Sequence, residues 1–491
     1  MNQGWRAFRR LRAAVPVLLA LTLLAGCGSR VSAADVLADS GGSPVTITLP
    51  PDLLRQPGPD GAPPTLAQSV AAPTIAGNAP AGPIRAPNGA IVGGPNSRPG
   101  YNAPTRSTPE AASTAARATC TGPRSTVTLG QVGTFSGVVG AITASARFAM
   151  AAWAKDINAR GGLACHPVQL FTEDDNADPA RAAAAVGDLV ARHHVIALVG
   201  SIVAFTSAGF VPAVTAAKLP AVGGDSTDPQ WFTSPWMFPQ GASLDDQAVG
   251  ILKAGVAAGH RKVGLLYCVE TSACTYVDKQ IKDVGAKAAG ADLVYDSPIS
   301  ITQTDFTAQC LNARNAGVDL LGLAMDGSSM TRVARSCAAI NYRPLLAVGA
   351  PTFSLRDSED PNLRAFGMVC ESPVAPWMTT DTPALRAFHA AMARYAPNVK
   401  PDGESVLAWS AGILLEHTIA TLSVVERAGD LTTGSVLAGL SRVHHDTLGG
   451  LTGPLTFTPG QRHAVSTGCI YFERLGPDGW TAPDGSRSIC R

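Results

Sequence analysis

Charge is sparse in this chain and neither sign dominates: 38 Lys and Arg stand against 37 Asp and Glu, a formal net charge of +1 over 491 residues. Arg6, Arg9, Arg10 and Arg12 lie among the first 26 residues without an acid, which leaves the remainder at about −3. Nucleic-acid binders carry a basic excess, so no nucleic-acid partner is expected. Phosphate-cradling loops are missing too, with no G-x-x-x-x-G-K-[ST] and no clean G-x-G-x-x-G between a strand and a helix. The serine-hydrolase elbow G-x-S-x-G is absent; GTFSG from Gly133 and GGDST from Gly223 have other orders, and no His is placed as a triad partner. Paired C-x-x-C elements with a clustered His set are lacking, which removes a structural zinc, and no cofactor is expected. The pairs His193-His194 and His444-His445 point in different directions on any regular element and read as surface residues. For the same reason the consecutive acids Asp174 and Asp175, at a strand end, do not converge for acid-base work.

Past the N-terminus no segment reaches 18 uninterrupted apolar residues, so no membrane-spanning helix is expected there. The N-terminus has four arginines ahead of an apolar run from Ala13 to Ala25, too short to serve as an anchor and laid out as a secretory signal. It ends in Leu24-Ala25-Gly26-Cys27, which is similar to the bacterial lipobox. That similarity implies a signal peptide over 1–26, diacylglyceryl attachment at Cys27, and a lipid anchor on the outer face of the cell membrane. Residues 27–119 are rich in Ala, Pro, Gly, Ser and Thr, with 15 prolines between Pro44 and Pro109. Such a stretch cannot bury enough apolar surface to offset its ordering entropy and reads as a disordered tether. As a coil of ~90 residues it reaches about 50 to 60 Å.

Ten cysteines in an exported chain point to an oxidising compartment, and setting Cys27 aside leaves nine, so at least one thiol stays unpaired. Cys268 and Cys274 are close enough to staple one loop. Spacing does not decide connectivity; Cys310 with Cys337, Cys120 with Cys165, and Cys469 with Cys490 are the other expected pairs, with Cys370 left over.

From Thr126 short β-rich runs alternate with Ala-rich helical stretches. Nine strand candidates begin at Val127, Val168, Val195, Pro220, Lys262, Asp292, Leu320, Leu345 and Gly367. Near-continuous apolar strands separated by helix-sized intervals predict parallel sheets covered on both faces. Nine strands are too many for one ordinary doubly wound sheet and predict two similar lobes in an α/β domain over 120–491. One helix is legible in detail: Ile142, Ala146, Ala149, Trp153 and Ile157 recur at helical spacing, and Gly161-Gly162 stops it. Further helices are predicted over Thr382–Ala396, Glu404–Ala428 and Thr433–Leu440, then the strand LTFTPG from Leu455 and the strand-like CIYFERL from Cys469.

The order of these pieces resembles the type I periplasmic binding proteins, the branched-chain amino-acid binding family of ABC importers, over roughly residues 125–470. VTLGQVGTFSG (Val127 to Gly137), the helix end DINARGG (Asp156 to Gly162) and VQLFTEDDNADPARAAAAVGDLV from Val168 carry the resemblance. So does VIALVGSIVAFTSAGFVPAVTAAKLPAVGGDSTDP from Val195. It implies two Rossmann-like lobes joined by a multi-strand hinge, lobe 1 about 125–242 and 375–452, lobe 2 about 246–371 and 453–491. Hinge crossings are expected at Met237 to Asp246, Glu371 to Pro376 and Leu451 to Phe457.

In open α/β lobes a ligand sits beyond the carboxyl ends of the strands, where helix N-termini offer unpaired N–H groups. Phe135 and Ser136 after the first strand, and Ser201, Ala204, Phe205 and Thr206 at the third, are therefore expected to line the pocket. The turn Asp225-Ser226-Thr227 faces them, and by resemblance Thr227 falls where the family hydrogen-bonds the ligand's carboxylate or amine. From lobe 2 come Tyr276, Asp326 and Ser328, and the turn with Pro351 and Thr352. Amino-acid-binding members place an acid at about that last turn; this chain has Pro351, and Asp326 or Asp225 is left to supply the charge. The implied function is capture of a small polar solute, an amino acid or related compound, for an ABC permease. A ligand-sensing lipoprotein of the same fold and a cell-envelope hydrolase are the competing readings.

Overall fold

The computed structural model describes residues 120, 122–137, 140–349, 352, 355–461 and 464–490. The expected signal peptide, Cys27, the Pro-rich tether and Pro351 lie outside these residues. In chain order the first elements are β1 (Val127–Gly133), α1 (Gly140–Ala159), β2 (Val168–Asp174), α2 (Pro179–His193), β3 (Ala197–Ser201), α3 (Ser207–Ala217), β4 (Ala221–Gly224) and β5 (Met237–Phe238). Then come α4 (Leu244–Ala257), β6 (Lys262–Cys268), α5 (Ser272–Gln280), continued by a π turn at Ile281–Gly285 and α6 (Ala286–Ala289), and β7 (Asp292–Ile299). They are followed by α7 (Thr307–Asn315), β8 (Leu320–Ala324), α8 (Gly327–Ala339), β9 (Leu345–Gly349), α9 (Pro361–Phe366) and β10 (Met368–Ser372). The remainder is α10 (Pro383–Tyr395), α11 (Gly403–Ala420), α12 (Val424–Ala428), α13 (Thr433–Leu440), β11 (Cys469–Gly476), β12 (Gly479–Thr481) and β13 (Ile489–Cys490).

Two sheets organise these elements. The first runs β2-β1-β3-β4-β5 and is parallel throughout. The second has eight strands in the order β12-β11-β10-β9-β8-β6-β7, with β13 on β11; it is parallel from β10 to β7 and antiparallel where β11 joins. Strands β3 and β4, ALVGS and AVGG, are buried along their whole length, as parallel strands covered on both faces must be. All nine predicted strands form, and the chain is an α/β protein of two lobes.

The predicted stripe on α1 is core: Ile142, Ala146, Ala149, Trp153 and Ile157 are all buried. The helix ends at Ala159, and Gly161 and Gly162 then take φ +109° and +87°, left-handed conformations that glycine adopts without strain. Helix α11 crosses α1 so closely that a Cβ at Gly412 would lie 2.6 Å from the Trp153 indole. Two expectations need correction. The helix predicted over 404–428 is broken, because Ser423 opens a new capping box with Glu426 and starts α12 afresh. LTFTPG makes no strand; Leu455 forms a lone bridge to Asp446 and Phe457 N–H donates to the Val443 carbonyl at 3.3 Å, while Pro454 and Pro459 flank the stretch and cannot donate to a ladder.

The chain passes between the sheets after β5, after β10 and before β11, and the three passages are bonded together. Ala375 N–H donates to the Leu451 carbonyl at 2.8 Å, and the Thr452 hydroxyl donates to the Gln240 carbonyl. Four disulfides join Cys120–Cys165, Cys268–Cys274, Cys310–Cys337 and Cys469–Cys490, the pairs anticipated, and Cys370 is a buried free thiol. Among the described residues no helix is long and apolar enough to cross a membrane.

Candidate ligand cleft

Both sheets reverse their order at one place, between β1 and β3 in the first and between β6 and β8 in the second, and a crevice opens beyond the carboxyl ends of strands at such switch points. A cavity of about 160 Å³ lies there. From lobe 1 its wall takes Ile142, Thr143, Ala204, Phe205, Thr227 and Glu404. From lobe 2 it takes the turn residues Asp326 and Thr352 together with Glu371 at the end of β10. It then runs inward between the second sheet and the helices on it, past Leu252, Leu265, Val277, Ile281 and Leu323. Among the described residues no Lys, Arg or His lines it.

The lobe 1 loops are braced by the consecutive acids at the end of β2. Asp175 accepts from the Thr134 hydroxyl at 2.7 Å, the Ala177 N–H at 2.9 Å and the Thr206 hydroxyl at 2.6 Å. Asp174 accepts from the N–H groups of Phe135 and Asn176, both at 3.0 Å. Burial raises the Asp174 carboxyl, but hydrogen bonds from Ser136, Asn176 and Phe135 outweigh it and hold the group below the usual range. The pair thus ties the loops after β1, β2 and β3 together and leaves Asn176 and Ala177 at φ +50° and +61°.

The anticipated site residues therefore separate. Ala204, Phe205, Thr227, Asp326 and Thr352 share the cavity wall. Thr206 is fully buried, with its hydroxyl on Asp175 and not on its own helix end. Ser201 is also buried, and its hydroxyl accepts from Val132 N–H at 3.1 Å. Phe135 is in the lobe 1 core, and exposed Ser136 donates to Asn176 at 3.1 Å. Tyr276 turns to Asp245, 2.7 Å away; burial first and then that carboxylate push its phenol up to about 12. Asp326 caps α8, accepting from Ser329 N–H at 3.1 Å and from the Ser328 hydroxyl at 2.6 Å.

Asp225 is 1% exposed; one carboxyl oxygen accepts from the Thr227 N–H at 2.7 Å and hydroxyl at 2.5 Å, while Oδ2 has no partner. Burial pushes it up to about 6, with neighbouring Asp228 adding to the rise and the Thr227 bonds opposing it. Two acids on the cavity wall, Glu371 and Glu404, were not anticipated. They are 3% and 5% exposed, and each has its Oε2 buried without a hydrogen-bond partner. Burial lifts both carboxyls well above the usual range, helped at Glu404 by the charges of Asp225 and Asp402 and at Glu371 by Glu473. Both sit at element ends, β10 and the first turn of α11, where an acid reads from sequence as an ordinary terminal residue. Among the described residues no group of acids, Cys and His could hold a metal ion.

A family model described as periplasmic binding protein matches residues 126–479. A search of curated proteins finds no match. Among solved structures, a fatty acid ABC transporter substrate-binding protein from Thermomonospora curvata superposes with a TM-score of 0.62 at 17% identity, covering 75% of this chain and 94% of that one. A branched-chain amino acid transporter substrate-binding protein from Streptococcus pneumoniae, in complex with isoleucine, gives 0.59 at 18% identity, over 73% and 98%. A solute-binding protein of an ABC transporter from R. palustris, in complex with benzoate, gives 0.60 at 15%, over 74% and 98%.

Proposed function

The chain belongs to the periplasmic binding protein family, and from that premise we propose that it is an extracytoplasmic lipoprotein that captures a small solute between its lobes and delivers it to an ABC permease. The observation that carries this reading is an interlobe cavity whose wall joins turns of both sheets to buried carboxyl oxygens without partners. Buried polar groups without partners are costly, and a solute's polar group lining up with them recovers that cost on binding. A solute touching both walls favours the closed arrangement about the three bonded crossings, so capture is a population shift. Lipid on Cys27 and the Pro-rich segment to residue 119 would hold the domain at the outer face of the membrane. The three solutes named for similar structures each join a polar head to an apolar body, which supports a small solute of that build here. A binding role is supported by the family, whose members capture solutes.

Thermal-shift screening of the full chain against amino acids, amides, amines and small carboxylates tests this. A cognate solute at 100 to 1,000 times its dissociation constant stabilises by about 3 to 4 kcal/mol, a plain rise in melting temperature. Thr227→Ala and Asp326→Ala should weaken that rise, and copurification should recover a permease. A screen in which no solute of any class raises the melting temperature removes the proposal.

A further inference from the structure

The interlobe cavity has two parts of different chemistry, and together they restrict what fits. Its inner part is apolar, walled by Leu252, Leu265, Val277, Ile281 and Leu323. At about 160 Å³ the cavity is close to the volume of a protein cavity of about 150 Å³ known to take a benzene ring. Its outer part presents Glu404 from lobe 1 and Glu371 from lobe 2, each more than nine-tenths buried with Oε2 unpartnered, and among the described residues no cationic side chain lines any of it. Of the helix N-termini at the cavity, those of α1 and α5 carry no acid, but three others are already occupied by one. Helix α11 starts on Asp402, α8 on Asp326, and at α3 the hydroxyls of Thr206 and Ser207 are bound to Asp175 and Asp228.

We propose, on the reading that the cleft binds a solute, that this solute is an amine-bearing cation with an apolar body of about benzene size and no carboxylate of its own. Its ammonium donates to the free oxygens of Glu404 and Glu371, which belong to opposite lobes, while the body fills the recess of lobe 2. A carboxylate would find no cation among the described residues of the wall, and Glu404, Glu371 and the acids at the starts of α11 and α8 would oppose it. Binding such a cation requires the carboxyls, which burial holds protonated above the usual range, to ionise, so capture releases protons and tightens as pH rises. The carboxyls raised by burial around it are Asp225 on the β4 turn, Asp402 and Glu404 on α11, Glu371 on β10 and Glu473 on β11, with the charge of Asp228 beside Asp225.

Calorimetry on the full chain with four matched probes, benzylamine, benzyl alcohol, benzoate and phenylalanine, tests the head group. Benzylamine should bind about tenfold or more tighter than benzyl alcohol, with benzoate weakest. Glu404→Gln and Glu371→Gln should each shrink the ratio of benzylamine to benzyl alcohol affinity by about tenfold, a ratio that a general loss of folding would not move. Benzoate or phenylalanine binding as tightly as benzylamine, or an unchanged ratio in both variants, overturns the cation assignment and leaves the solute-binding role standing. If none of the four binds, the assignment falls; the binding role falls with it only when the wider screen is also blank.

Discussion

The two lobes share an architecture but meet the cleft with different chemistry. Lobe 1 presents loops whose polar groups are already bonded to one another: Thr134, Thr206 and the Ala177 N–H on Asp175, and Thr227 on Asp225. Lobe 2 presents an apolar recess that reaches between its sheet and helices, past Leu265 and Leu323. A wall made rigid by internal hydrogen bonds orients a head group at little further entropic cost, whereas a recess of side chains gives affinity in proportion to the apolar area covered. One fold used twice thus divides the work, with lobe 1 suited to orientation and lobe 2 to grip.

Cross-links make the sharpest contrast between the lobes. Cys120–Cys165 on lobe 1 spans 45 residues and Cys268–Cys274 on lobe 2 spans 6. Replacing the first pair by Ser should cost about 4 kcal/mol and the second about 2 kcal/mol on the chain-entropy account, read from denaturant midpoints. Equal losses would break the contrast. Next in size is Asp175→Ala, which strands three donors in lobe 1 and should cost about 3 kcal/mol in the same assay. Filling the recess with Ala324→Phe should leave the melting temperature of the free protein nearly unchanged but weaken solute binding by about a hundredfold in calorimetry. Preserved affinity would move the grip out of lobe 2.

The smallest expected effect is on pH dependence. Burial lifts Asp225 and Asp402 to about 6 and Glu473 to about 8, and raises Glu371 and Glu404, whereas unfolded carboxyls titrate near 4. Between those values the folded state holds more protons than the unfolded one, so the stability these groups contribute at low pH is lost as pH rises through the folded values. The solute-free protein should melt higher at pH 5 than at pH 8, and Glu404→Gln should flatten that dependence. Below pH 4 the slope reverses, because Asp174, Asp360 and Asp446 have lowered values and their contribution disappears as they are protonated.

Much of the architecture was legible because it depends on local periodicity. Apolar runs of strand length, the helical stripe from Ile142 to Ile157 and its glycine stop each carry their signal within a few residues. The failures were also local: Ser423 restarts a helix inside an apolar stretch, and the LTFTPG run has strand character but no neighbour to pair with. The cleft was legible only in part. Ala204, Phe205, Thr227, Asp326 and Thr352 follow strands, which is enough to put them beside a cavity at the sheet ends. Glu371 and Glu404 gave no such sign, since only packing of β10 and α11 from distant parts of the chain buries them.

Sequence by itself determined the α/β alternation, the two sheets and the family, because strand and helix periods and their order are properties of the chain. Tertiary structure alone decided which polar groups are used up and which are left over. Thr206 and Ser201 are spent on neighbours while Glu371 and Glu404 keep free oxygens, since whether a buried group finds a partner depends on what the fold brings within about 3 Å of it.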